Sequence, residues 1–336
     1  MEPSAARNAS PTDASGDVGD WTGRRVTVTG GAGFLGRRVV SRLVELGAEV
    51  AAPRRREFDL TVPGAAEAML DEFRPETVIH LAADVGGIGY NLDHPAKLYL
   101  SNLLMGTHVI EATRAADHVD KTVLVGTVCS YPKHTPVPFA ESDLWNGYPE
   151  ETNAPYGIAK KAHLIHAQVN ELEYGQRFAY LIPTNLYGPG DKFHPSISHV
   201  IPALIKKCVE AKESGADHVE VWGTGSASRE YLFVDDAADA IVRAADVATG
   251  TDPINLGADR EVTIKETVET VARLVGFDGE LRWDPSKPDG QPRRAVDGTE
   301  AREKLGWAPT MDFEEGLRAT IDWYLANRTE AERAPH

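Results

Sequence analysis

An α/β fold, built on a doubly wound parallel sheet with a smaller C-terminal α/β lobe, is what this sequence predicts. Short apolar runs alternate with helical patterns through the first half, the rhythm of βαβ units and a parallel sheet. A glycine-rich turn joins the first of those runs to the first helical pattern. After Pro183 the alternation breaks, and a second lobe is expected to begin there.

Arg25–Thr29 reads as the first strand, Ala48–Ala52 as the second, Thr77–Leu81 as the third and Thr122–Gly126 as the fourth. Helices are expected between them, near Phe34–Leu46, Ala65–Phe73 and Ala96–Ala116. A further helix at Tyr156–Tyr174 leads into a strand at Phe178–Ile182. Beyond Pro183, His194-Pro195-Ser196 opens a loop, Val200–Glu213 has a helical pattern and Val219–Trp222 an extended one. Tyr231–Val234 and Ile254–Leu256 read as returns to the sheet, while Thr263–Val275, Leu281–Asp284 and Phe313–Ala326 complete the smaller lobe. No internal repeat is visible. The expected division is a disordered N-terminal tail over 1–22, a dinucleotide-binding domain over 23–183 with returns near 230–257, and a substrate lobe from 184–229 and 258–330.

Composition narrows the function. The 336 residues are 42% hydrophobic and contain no apolar run as long as a membrane span. A formal charge of −16 argues against a nucleic-acid partner, whose phosphates would be repelled. The first twenty residues carry no apolar segment, so no secretory signal is expected. Two cysteines, Cys129 and Cys208, are too few for a disulfide framework and fit a reducing cytoplasm.

The turn Thr29-Gly30-Gly31-Ala32-Gly33-Phe34-Leu35-Gly36 carries the first chemistry. Gly30 permits a sharp turn, Gly33 lets backbone approach a pyrophosphate, and Gly36 lets helix and strand pack closely. The phosphates then sit at the positive helix N-terminus. A Rossmann-type domain and a nicotinamide dinucleotide follow. At the end of the second strand, where a carboxylate would favour NAD, the sequence has Pro53-Arg54-Arg55-Arg56. Arginine forks suit a 2′-phosphate, so NADP(H) is the expected cofactor. Tyr156 and Lys160 stand four apart on one helix face, where the cation is expected to lower the phenol's pKa for proton exchange with a carbonyl or hydroxyl. Thr127, just after the fourth strand, supplies a hydroxyl for the reacting oxygen. His194 and His199 are five apart, a poor helical spacing for a metal, and no metal site is expected. Cys208, among Leu204, Ile205 and Val209, reads as core.

Together the glycine turn, the hydroxyl after strand four and the Tyr-x-x-x-Lys pair resemble the extended short-chain dehydrogenase/reductases. Finer stretches narrow the resemblance: Val78-Ile79-His80-Leu81-Ala82-Ala83, Cys129-Ser130-Tyr131-Pro132-Lys133, Pro183-Thr184-Asn185-Leu186-Tyr187-Gly188-Pro189, Ser198-His199-Val200-Ile201-Pro202, Val221-Trp222-Gly223-Thr224-Gly225 and Ser286-Lys287-Pro288-Asp289-Gly290. In order, from about Arg25 to about Asn327, these look like the GDP-L-fucose synthase family. The resemblance implies a GDP-linked 4-keto-6-deoxy sugar, epimerised at C3 and C5 and reduced at C4 by NADPH. It makes Cys129 the base and His199 the acid of epimerisation, and Tyr156 the proton donor of reduction, with Lys160 holding tyrosine and nicotinamide ribose. It places the cofactor against Gly30, Gly33, Phe34, Leu35, Gly36, Arg54, Arg55, Leu81, Ala82, Ala83, Tyr156, Lys160, Pro183, Asn185, Leu186 and His199. It places substrate against Asn185, Lys207, Trp222, Arg229 and Asp289. It also implies a cytoplasmic homodimer, paired through the helices at Asn102–Ala116 and Tyr156–Glu173.

The sequence departs from the pattern near the sugar. Thr127-Val128 replaces the usual two serines, Asp84 stands where a basic residue is common, and Asp143-Leu144-Trp145-Asn146-Gly147-Tyr148 adds aromatics. Pocket shape decides substrate, so two narrower readings stay open. One is a 4-reductase or epimerase acting on another nucleotide-linked keto sugar. The other is a non-catalytic NADP-sensing protein on the same fold.

Overall fold

The computed structural model describes residues 19–86, 88–195, 198–287 and 291–333. The first domain contains β1 (Arg25–Thr29), α1 (Phe34–Glu45), β2 (Glu49–Ala51), α2 (Ala65–Phe73), β3 (Thr77–His80), α3 (Ile88–Asp93), α4 (Pro95–Ala115), β4 (Lys121–Val125), α5 (Ala154–Tyr174) and β5 (Phe178–Pro183). The chain continues with β6 (Asn185–Tyr187), α6 (Val200–Ser214), β7 (His218–Trp222), β8 (Ser228–Phe233), α7 (Val234–Val247), β9 (Pro253–Leu256), β10 (Glu261–Thr263), α8 (Ile264–Val275), β11 (Glu280–Asp284), β12 (Arg293–Arg294), α9 (Thr299–Leu305), α10 (Phe313–Ala326) and α11 (Arg328–Ala331).

Six parallel strands form the main sheet in the order β2-β1-β3-β4-β5-β9. The sequence asks for this arrangement. β3, β4 and β5 are buried along their whole length, and continuous apolar strands need helices on both faces. α1 and α7 cover one face, with Val39, Leu43, Ala237, Ile241 and Ala245 in one core with Val28, Ile79 and Val123. α2, α4 and α5 cover the other. The chain leaves β1 toward β2 and then returns to β3 on the other side, so the order reverses between β1 and β3. Ligands of open α/β sheets bind outside the carboxyl ends of the strands at such a reversal.

Three expectations need correction. Tyr231–Val234 does not return to the main sheet: β8 pairs with β6, β10 and β12 in a separate sheet, and only β9 rejoins the first. Its buried side chains resemble those of a central strand because β8 is itself internal to the smaller sheet. The helix α7, absent from the expected elements, starts immediately after it. Its buried face is mostly alanine with Val234, Ile241 and Val242, and it packs closely on the sheet. Finally, the folded chain begins before residue 23. Trp21, expected in the tail, is fully buried against α1 and α7, with the Arg24 guanidinium 4.0 Å from its ring centroid. An indole of that size gains more by burial than a short tail loses by ordering.

The second lobe has its own core, formed by Tyr187, Phe193, Ile205, Cys208, Val268, Phe313, Leu317 and Tyr324. Cys208 is fully buried there, and burial pushes its thiol up to about 11.

Candidate active site

The turn after β1 is shaped by what its glycines exclude. Gly30 has φ +71°, and a Cβ there would lie 2.8 Å from the Ala82 nitrogen; one at Gly36 would overlap the Gly30 carbonyl oxygen. Gly33 differs: a Cβ would meet only that carbonyl, at 3.1 Å. Gly33 caps α1 in an extended conformation, no side chain caps the helix, and its first turn holds no acidic residue. The first N–H groups of α1 are therefore left to an external anion, as a pyrophosphate requires. Phe34 and Leu35 open the helix, and the Leu81-Ala82-Ala83 segment after β3 runs alongside, tied by Leu81 N to the Thr29 carbonyl (3.1 Å) and Ala82 N to Thr29 Oγ1 (3.3 Å).

Arg54, Arg55 and Arg56 follow β2 on the surface. Arg55 pairs with Asp59 at 3.1 Å and Arg56 lies 3.9 Å from Glu57, whereas the Arg54 guanidinium has no ion-pair partner among the described residues. The basic cluster thus carries its own acids, a feature the strand-end reading did not include.

The reacting groups converge after β4. Thr127 caps a 3₁₀ turn over Val128–Ser130, its Oγ1 accepting from Cys129 N at 3.2 Å. That use of a lone pair leaves the hydroxyl hydrogen for another acceptor. α5 crosses directly over this turn. A Cβ on Gly157 would lie 2.5 Å from the Cys129 carbonyl oxygen, and Ser130 Oγ donates to the Gly157 carbonyl at 3.0 Å. Only glycine allows that approach, and it sets Tyr156 beside Cys129. Tyr180 Oη anchors the helix one turn on, donating to the Lys160 carbonyl at 2.7 Å.

The electrostatics differ from the sequence expectation in one respect. Lys160 does not lower the Tyr156 pKa. Its Nζ lies 5.9 Å from the phenol ring centroid, and burial, reinforced by Cys129, raises the phenol instead. A four-residue helical spacing brings the two side chains together, but the low-dielectric site penalises the phenolate more. Tyr156 is consequently a neutral phenol, poised to donate. Desolvation also lowers Lys160, to about 8. Behind it lie two buried imidazoles. His80 is bonded to Thr29 Oγ1 at 2.8 Å and His163 to the Leu103 carbonyl at 3.2 Å. Burial, with Lys160 next among the causes, pushes His163 down to about 3 and His80 well below the usual histidine value, so both are neutral.

The other expected residues lie further along the chain. Pro183 ends β5, and Asn185 and Leu186 begin β6, with Asn185 Nδ2 donating to the Glu230 carbonyl at 3.0 Å. His199 precedes α6 in extended backbone and makes no side-chain cap, which removes the simplest structural role for it. The residue is exposed by area, yet protein around the ring, then Lys192, lowers its pKa. In the second lobe Trp222 is 61% exposed, with Lys207 Nζ 5.8 Å and Lys287 Nζ 5.5 Å from its ring centroid. An indole left in solvent between two ammonium groups is available to stack on a base. Arg229 Nη1 donates to the carbonyls of Ser228 (2.7 Å) and Gln291 (2.6 Å). Asp289 lies outside the described residues.

Two departures noted in the sequence have contacts here. Asp84 accepts from Tyr90 Oη at 2.8 Å and faces Lys97 at 3.6 Å, so its charge is partly answered within the protein. Trp145 is half exposed under the Lys161 ammonium, 4.4 Å from the ring centroid. Sequence reasoning missed Arg294, which the fold brings to Cys129 from 165 positions away, and Gln291, which holds it. Only the run Gln291-Pro292-Arg293-Arg294 after the Asp289 stretch hinted at them.

A model of the NAD dependent epimerase/dehydratase family matches residues 26–257. The chain is 43% identical to GDP-L-fucose synthase 1 of Arabidopsis thaliana over 305 residues, covering 90% of this chain and 94% of that protein. It is 38% identical to GDP-L-fucose synthase of Escherichia coli (strain K12), covering 91% and 98%. The crystal structure of a GDP-L-fucose synthetase from Naegleria fowleri bound to NADP superposes with a TM-score of 0.84 at 26% identity, over 93% of this chain and 97% of that one. The chain belongs to the NAD dependent epimerase/dehydratase family, and the relatives named above are GDP-L-fucose synthases.

Proposed function

We propose that this protein is an NADPH-dependent 3,5-epimerase and 4-reductase of a GDP-linked 4-keto-6-deoxy hexose, giving GDP-L-fucose or a close relative. The observation that carries the reading is the junction of α5 with the turn after β4, which sets a neutral phenol, a thiol and a hydroxyl side by side past the carboxyl end of β4. A ketone acidifies the carbons on either side of it. Cys129, as thiolate, takes a proton from such a carbon: the C–H bond breaks, S–H forms, and the electron pair moves onto the ketone oxygen. Thr127 and Tyr156 donate hydrogen bonds to that oxygen. His199 returns a proton to the opposite face of the carbon as the electron pair falls back from the oxygen; the thiol then gives its proton to solvent, the imidazole regains one from solvent, and the cycle repeats at the second carbon. When bound, NADPH supplies the hydride for the ketone carbon. Tyr156 gives the developing alkoxide its proton, and Lys160 holds the tyrosine and the ribose in register.

The cradle at Gly30, Gly33 and Gly36 suits the pyrophosphate, and Arg54 with Arg55 suits the 2′-phosphate. Replacing both arginines by Ala is expected to raise the Kd for NADPH about tenfold or more while changing that for NADH little, as read by cofactor fluorescence. Trp222, Lys207 and Arg229 are assigned to the guanine nucleotide, with Asp289 assigned by sequence alone.

Turnover in deuterated water tests the reaction. Two solvent deuteriums on sugar carbon per NADPH consumed is the expected result, and no carbon-bound deuterium would sink the epimerisation. A 4-reductase or epimerase for another nucleotide-linked keto sugar is the second reading, favoured by the Asp84–Tyr90–Lys97 cluster near the expected sugar pocket. GDP-, dTDP-, UDP- and CDP-linked 4-keto sugars, compared by NADPH absorbance, separate the two.

No helix among the described residues is long and apolar enough to cross a membrane. We place the enzyme in the cytoplasm as a homodimer, in keeping with its two unpaired cysteines. α4 and α5 present Tyr99, Leu100, Ile165, Val169 and Leu172 to solvent, the last 87% exposed. Such a face suits a four-helix bundle with a second copy. Leu172→Asp is expected to shift the protein to monomer in sedimentation at micromolar concentration.

A further inference from the structure

Arg294 stands half-buried on β12 with an unusual set of partners. Its Nη1 donates to Cys129 Sγ at 3.7 Å. Its Nε and Nη2 both donate to Gln291 Oε1, at 3.2 and 3.1 Å. No carboxylate pairs with it among the described residues, although the adjacent Arg293 is held by Glu261. A half-buried guanidinium that meets only neutral groups is poorly compensated. The nearby group able to become an anion is the sulfur.

Gln291 fixes this arrangement from three directions. Its side-chain oxygen grips two of the Arg294 donors, and its Nε2 donates to the Lys133 carbonyl at 3.0 Å, just past the Cys129 turn. Its own carbonyl accepts from Arg229 Nη1 at 2.6 Å. β12 also sets Arg294 opposite Arg229 on β8. One glutamine therefore links an arginine assigned to the guanine nucleotide, the turn that carries the thiol, and the guanidinium touching that thiol.

We propose that Gln291 is a positioning residue that aims the Arg294 guanidinium at the Cys129 sulfur, so that a charge-assisted donor faces the sulfur when it acts as the base toward the sugar. A charge-assisted donor lowers the energy of an anionic acceptor and does little for a neutral one. Loss of the two-pronged grip frees a long side chain to turn toward solvent, and the sulfur then loses the cationic donor that Arg294 holds at hydrogen-bond range. The inference rests on the reading of Cys129 as the epimerisation base, but the sulfur can be examined without the sugar.

The test is alkylation of Cys129 by iodoacetamide in the full-length protein with NADP⁺ bound, followed by intact mass; Cys208 is fully buried and serves as the internal control. Gln291→Ala and Arg294→Gln are each expected to alkylate about tenfold more slowly than wild type, with melting temperatures close to it. Exchange of sugar C–H for deuterium with NADP⁺ present, where no net reduction occurs, is expected to lose kcat in Gln291→Ala and keep KM. Wild-type alkylation in Gln291→Ala overturns the proposal, and should that variant fail to fold, wild-type alkylation in Arg294→Gln overturns it equally. Absence of exchange in the wild-type protein with slowed alkylation in the variants sinks the epimerase reading and leaves the positioning of the sulfur standing.

Discussion

Tyr156→Phe is expected to cut NADPH-dependent reduction by about 10²–10⁴-fold, the ordinary worth of a positioned general acid. The cofactor should still bind, because the cradle at Gly30, Gly33 and Gly36 does not involve the phenol. Deuterium exchange at the carbons beside the ketone should fall less than reduction, since the thiol and Thr127 remain in place and one of two donors to the ketone oxygen is lost. Burial and Cys129 both favour the protonated phenol, so the residue is set to give a proton to a new alkoxide. Rapid-mixing measurement of NADPH absorbance together with mass spectrometry of the exchanged sugar checks both halves. Equal loss of exchange and reduction would mean that the tyrosine organises the site as a whole. Lys160 adds a pH signature. Desolvation holds it near 8, so its positive charge is lost as pH rises through that value, and the reductive rate should fall on the same limb.

Cys129→Ala is expected to have the converse effect. Without the sulfur no base stands against Thr127 and Tyr156, and carbon-bound deuterium should drop by about 10²-fold or more. Hydride transfer to a ketone that needs no epimerisation should be far less affected, because Tyr156, Lys160 and the cradle are untouched. The variant should fold: Cys129 is only partly buried, and the contacts that hold α5 to its turn come from Gly157 and Ser130. Retention of exchange in Cys129→Ala, measured by mass spectrometry in deuterated water, would remove the thiol from the mechanism.

The parts legible in the sequence are local. A strand, a glycine turn and a helix follow each other within about a dozen residues, and their spacing fixes both hydrogen bonding and the phosphate cradle. β1, β3, α1, α2 and α5 were expected within a few residues of where they lie. Tyr156 and Lys160 share a helix face by periodicity alone. The parts not legible depend on contacts between distant segments. β8 and a central sheet strand have the same apolar composition, and only pairing distinguishes them. Trp21 looks like tail sequence until the sheet and α7 close around it.

The same division runs through the active centre. The sequence by itself determined the dinucleotide turn, the order of the reacting residues along the chain and the family they belong to, because each is written in short motifs whose geometry the backbone imposes. Tertiary structure alone decided that the Tyr156 phenol is raised rather than lowered, since the sign of its shift depends on how much water and which charges surround it. It alone brought Arg294, held by Gln291, to Cys129, because no local periodicity relates a residue after β4 to one on β12; the packing of the second lobe against the first does.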